Sequence, residues 1–127
     1  MTRADFEPLA AALEGPADLS PETAAAVLAL IRPLVPVKDR WPADRMPAIQ
    51  SSDEVIHLVD LALPDWSISL KGRTNDTDGH WTCTLRRSDT LDDDLLIGIG
   101  RGPALPRAIL AAMVRVAALR TTPKTAD

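Results

Sequence analysis

The stretch LALPDWSISLKGRTNDTDGHWTCTLRRSD, residues 61–89, decides the fold. Trp66, Ile68 and Leu70 alternate with Ser67 and Ser69, the period of a strand with one dry and one wet face. In HWTCTLR, residues 80–86, the dry set is Trp81, Cys83 and Leu85, and the wet set is His80, Thr82, Thr84 and Arg86. Residues 71–79 between them are rich in turn formers and read as a polar hairpin loop. A further turn, RSDTLDDD, leads to LLIGIG at 95–100, a third strand whose glycines let another element approach closely. One apolar and one polar face per strand predicts an antiparallel sheet covered by helices on one side.

The flanks supply the helices. Residues 5–14 read as a short helix stopped by Gly15 and Pro16. Ser20, Pro21 and Glu22 give a cap, a first-turn proline and an acid near the positive end of a second helix. That helix should run to about Leu34 and is apolar nearly all round, so it needs cover on more than one side. Residues 35–50 form a Pro-rich connector with Trp41 as an anchor onto the core. Ser51 and Glu54 make a capping box for a third helix carrying Val55, Ile56, Val59 and Leu63, closed by Pro64. The last helix spans about 104–120, with Leu105, Ile109, Ala112, Met113 and Val116 as its inward stripe. Leu110 and Val114 lie off that stripe, on a second side for the N-terminal helices or a partner to cover. The reading is α+β: an α-β-β-β-α sandwich over 51–120 on a three-stranded antiparallel sheet, an N-terminal helical segment at 1–34 and a loose tail at 121–127.

The totals agree with a single domain. The chain has 127 residues, 46% hydrophobic and 25% charged, enough to bury a core unaided. One cysteine excludes an internal disulfide and a multi-cysteine zinc site. No apolar run reaches the ~18 residues of a membrane span, and the first residues lack a signal-peptide apolar region. A cytoplasmic protein, in a bacterial host, is the expectation. The net charge of −4 argues against non-specific nucleic-acid binding. Acids outnumber bases between residues 51 and 100, and bases outnumber acids beyond. These neighbours are expected to attract each other within the fold.

The segments MPAIQSSDEVIHLVDLALPDW, HWTCTLRR and GPALPRAILAAMVRVAAL, with the upstream LAAALEGPADLSPETAAAVLALI, carry a resemblance. Their helix, three strands, helix order is similar to double-stranded RNA-binding domains, and more closely resembles the phage alpha-beta-alpha sandwich domain of small phage and prophage proteins. The resemblance implies a phage origin and this fold, and no enzymatic role. It further implies an accessory factor, of the class that includes inhibitors of host defence systems such as CRISPR effectors. RNA-binding domains of this topology grip phosphates with a lysine cluster at the start of the last helix. Here that place reads GRGPALPRA, with only Arg101 and Arg107.

No assembled chemistry is visible. His80 and Cys83 are three apart on a strand and face opposite sides. Cys83 lies on the dry face, where a thiol resists ionisation. His57 sits on a helix among apolar residues and should be packed or half-exposed. Asp92, Asp93 and Asp94 read as a solvated turn, without a phosphate-cradling loop. The expectation is a non-catalytic protein with no metal and no cofactor, acting by binding a host or phage protein. The candidate partner surface is Asp89, Asp92, Asp93 and Asp94, whose carboxylates could imitate phosphates, with Leu110 and Val114. Two alternatives stand beside it. One is an RNA-binding domain using Lys71, Arg73, Arg101 and Arg107; the other is a homodimeric structural or assembly component of a phage particle.

Overall fold

The computed structural model describes residues 3–15, 18–42, 44–64, 66–72, 80–87 and 97–121. Four helices, α1 (Arg3–Glu14), α2 (Pro21–Ile31), α3 (Ser52–Ala62) and α4 (Leu105–Thr121), accompany three strands, β1 (Trp66–Gly72), β2 (Trp81–Arg87) and β3 (Ile97–Gly102). The strands form one antiparallel sheet in the order β1-β2-β3, so β1 and β3 are its edges.

The capping chemistry read from sequence is present. Ser20 Oγ accepts from the Thr23 N–H at 3.1 Å and opens α2. At α3, Ser51 Oγ accepts from the Glu54 N–H, and the Glu54 carboxylate accepts from the Ser51 N–H. α2 ends at Ile31, three residues before the expected stop, because Pro33 cannot continue an α-helix; a 3-10 turn covers Arg32–Leu34. The connector is braced by arginines. Arg40 donates to the carbonyls of Pro33 and Val35, Arg32 donates to that of Trp41, and the Trp41 ring packs against the core.

Strand register sorts the side chains. Ile68 pairs with Leu85 and Leu70 with Cys83 across β1 and β2; Leu85 pairs with Gly98 and Cys83 with Gly100 across β2 and β3. Directly paired residues share a face, so Trp66, Ile68, Leu70, Trp81, Cys83 and Leu85 lie together, as the alternation predicts. Residues 95 and 96 of the expected strand lie outside the described residues, and described β3, Ile97–Gly102, gives that face only glycines. The reason is α4. A Cβ on Gly98 would strike the Ala112 carbonyl, and one on Gly100 the Ala108 carbonyl and the Ala112 nitrogen. The helix backbone rests on the strand backbone, the close approach that LLIGIG implied.

α4 is the centre of the molecule. It packs on β2 and β3 from one side and on α1, α2 and α3 from the others. Every residue from Ala108 to Val114 is fully buried. This corrects the expectation for Leu110 and Val114: both are 0% exposed, covered within the chain, and neither offers a surface to a partner. The apolar second side of α4 is core because the N-terminal helices pack on the sandwich.

Candidate functional site

The two edges of the sheet are treated differently. On β3, the Ile99 carbonyl accepts from Arg115 Nη1 at 2.7 Å, and the Arg101 N–H donates to Glu14 Oε2 at 2.8 Å. The same Arg115 Nη1 meets Glu14 Oε2 at 2.6 Å, and Arg115 Nη2 meets Glu14 Oε1 at 2.9 Å. One ion pair from α4 and α1 thus supplies the acceptor and the donor that one residue of a fourth strand would supply. Arg115 also bonds Glu7, one heptad before Glu14 on α1, at 3.0 Å. Burial pushes the Glu14 carboxyl up, but the hydrogen bonds from Arg115 and from the Arg101 N–H, with both positive charges, hold it below its ordinary value. Arg115 is raised, chiefly by its hydrogen bond to Glu14. The β3 edge is thus clasped at the Ile99 carbonyl and the Arg101 N–H.

Among the described residues the β1 edge is open. Because Ile99 and Arg101 turn their backbone groups away from β2, the alternation of antiparallel ladders assigns Gly98, Gly100 and Gly102 to β2. β2 then turns Thr82, Thr84 and Arg86 to β1, where they meet Lys71, Ser69 and Ser67. Ile68 and Leu70 are left with their N–H and C=O directed outward. The Trp66 N–H, of the same parity, bonds the Leu63 carbonyl instead of β2, as this assignment requires. No described residue bonds the outward groups of Ile68 or Leu70.

A groove of about 400 Å³ runs beside this edge, between α3 and β1. Ile56, Val59, Leu63, Trp66 and Ile68 make its apolar wall, and Asp53, His57 and Asp60 its polar rim. Ile56 and Leu70, each 37% exposed, are among the most exposed large apolar side chains described. The helical period produces this layout: Val55, Leu58, Val59 and Ala62 point into the core, which turns Asp53, Ile56, His57 and Asp60 outward. His57 is therefore exposed, and of the packed or half-exposed expectation the packed part does not hold.

The remaining candidates fall elsewhere. Cys83 is fully buried, and burial pushes its thiol up to about 12, which keeps it protonated. His80 is exposed, on the far side of the sheet from that sulfur. Among the described residues no three His, Cys, Asp or Glu side chains are placed to hold a metal ion. No described helix is long and apolar enough to cross a membrane. Asp89, Asp92, Asp93, Asp94 and Arg73 lie outside the described residues. Lys71 and Arg101 flank Thr82 in one cross-strand row on the polar face. Arg107 does not join them; its guanidinium donates to the Ala12 carbonyl at 2.6 Å, fixing the end of α1 to the start of α4. The three described cations of the RNA-binding alternative, Lys71, Arg101 and Arg107, do not all converge. Nor does Arg115 find the acidic middle of the chain; it pairs with α1, against the expected attraction.

The edge clasp and the groove were not singled out in the sequence. The only signals were Glu7 and Glu14 at heptad spacing and Arg115 as the one charge between Arg107 and Arg120 of the last helix. No protein-family profile, curated protein or solved structure matches this chain.

Proposed function

We propose that this protein is a non-catalytic binding module that captures an extended segment of another protein as a fourth strand on β1. The observation that carries the reading is the pairing of outward backbone groups at Ile68 and Leu70 with an apolar groove on the same edge. Exposed edges invite added strands, and folded proteins ordinarily block them. Among the described residues, side chains block β3 at Ile99 and Arg101 and none blocks β1 at Ile68 and Leu70. Strand addition draws affinity from main-chain hydrogen bonds and specificity from pockets for alternate side chains, and the α3–β1 groove is such a pocket. The acidic turn at Asp89 to Asp94 has no part in this reading.

The test is a proline at the edge. Leu70→Pro removes an N–H that serves no strand of this sheet, a position where a strand accepts proline. Proteins retained from a cell lysate by the natural chain should be lost by L70P, with the circular dichroism spectrum unchanged. Equal retention by both forms would refute strand addition at β1.

A second reading has one observation behind it, the Lys71, Thr82, Arg101 row on the polar sheet face. Two cations about 10 Å apart across three strands could contact a nucleic-acid backbone. A gel-shift titration near ~50 mM salt tests it, since binding of this kind is strongest at low salt. A shift lost in the K71A/R101A double variant would support it, and no shift at that salt removes it.

A further inference from the structure

We infer that the segment taken up by the β1 edge is positively charged, an extended stretch in which Lys or Arg alternates with small apolar residues. This rests on the strand-addition reading above and names the chemistry of the occupant.

The negative charge beside the groove comes from α3. Its sequence, SDEVIHLVDLA, carries three acids and no Lys or Arg. The Glu54 carboxylate is committed to the helix cap, accepting from the N–H groups of Gln50 and Ser51 at 3.0 Å each. Asp53 and Asp60 have no such commitment; neither makes a hydrogen bond or ion pair among the described residues. Both stand on the rim of the groove, two helical turns or about 10.5 Å apart.

A strand added beside β1 sends every second side chain to the face that carries Trp66 and Ile68, at intervals of about 6.8 Å. Those side chains enter the groove under α3. Short apolar stems match Ile56, Trp66 and Ile68, and cationic ends on flexible stems reach the two rim carboxylates. An acidic segment would meet Asp53 and Asp60 with like charge.

A second copy of the chain fits less well. Antiparallel pairing of β1 with β1 of another copy would bring two α3 helices side by side over one extended sheet. Asp53 and Asp60 of each copy would then be turned toward those of the other, with no lysine or arginine on α3 to neutralise them.

The experiment uses the full chain and two peptides of about eight residues, one alternating Lys with Val and one alternating Glu with Val, followed by fluorescence anisotropy and backbone amide NMR shifts. The Lys–Val peptide should bind, with the largest shifts at Ile68 and Leu70, and its affinity should fall as salt rises. Methylating its alternate backbone nitrogens should abolish binding. In the D53N/D60N double variant the affinity should drop about tenfold, as expected for losing two rim contacts.

Failure separates into distinct cases. If the Glu–Val peptide binds as well, or D53N/D60N binds the Lys–Val peptide unchanged, the cationic occupant is wrong and strand addition survives. If neither peptide shifts Ile68 or Leu70, strand addition at this edge is wrong too. A concentration-dependent dimer in sedimentation, lost in Leu70→Pro, would replace the peptide by a second copy.

Discussion

Glu14, the last residue of α1, and Arg115, in the middle of α4, meet at 2.6 Å against the outer edge of β3 and occupy the backbone groups of Ile99 and Arg101. A hundred residues separate them in sequence, yet together they do the work of a strand. The clasp fixes α1 to the sandwich and occupies two backbone groups of an edge that would otherwise be free to pair there.

Glu14→Gln should therefore have two effects. The amide keeps the shape but loses the charge that holds Arg115, and stability should fall by about 1–2 kcal/mol, discounted for the partial exposure of the pair. The variant should also self-associate more readily, because the Arg101 N–H loses its charged acceptor. Urea unfolding and light scattering against concentration measure the two; an unchanged midpoint with no added scattering would rule out the clasp.

The same carboxylate sets a pH dependence. Its folded-state pKa lies below its ordinary value, so the unfolded chain binds the proton more readily. The stability it contributes is present in full above the ordinary carboxylate range and is lost as pH falls through the folded value. Unfolding midpoints of the natural chain and E14Q should differ at neutral pH and converge as acid is added. A difference that stays constant down to about pH 3 would contradict this.

Of the described strand glycines, Gly100 leaves the least room for a side chain against α4. A Cβ there would come within 2.6 Å of the Ala112 nitrogen, and helix backbone cannot swing aside as a flexible side chain can. Gly100→Ala should cost about 3 kcal/mol, the upper end of overpacking penalties. Gly15→Ala is the control for glycine removal in general, since its Cβ would find ordinary contacts no nearer than 3.7 Å. Thermal unfolding should separate the two clearly; comparable melting points would mean that α4 does not rest on β3 as described.

What sequence could reveal here follows from the range of the interactions involved. The strand faces were legible because a period of two is a local property, and Trp66, Ile68, Cys83 and Leu85 fall where alternation puts them. The caps at Ser20 and Ser51 act over three residues and were equally plain. The edge clasp joins residues 14 and 115, and no local pattern encodes such a contact. The groove is a property of how far α3 stands from β1, which tertiary packing sets and no local pattern encodes. His57 reads from sequence only as packed or half-exposed for a related reason: apolar neighbours in sequence are not neighbours on a helix, and residues 55, 58 and 59 take the buried side.

Leu110 shows the same ambiguity from the other direction. Off the main stripe and diluted by alanines, it had the signature of a surface for a partner, since alanine is neutral evidence for burial. It is 0% exposed within the single chain, among the largest fully buried side chains. Leu110→Ala should therefore act on folding and leave an internal cavity, with a loss of about 3 kcal/mol that does not depend on protein concentration. The measurement is chemical unfolding at two concentrations about a hundredfold apart, because stability drawn from a partner copy shifts with concentration by mass action. A cost below about 1 kcal/mol, or one that appears only at the higher concentration, would return Leu110 to the surface and undo the placement of α1 and α2 over α4.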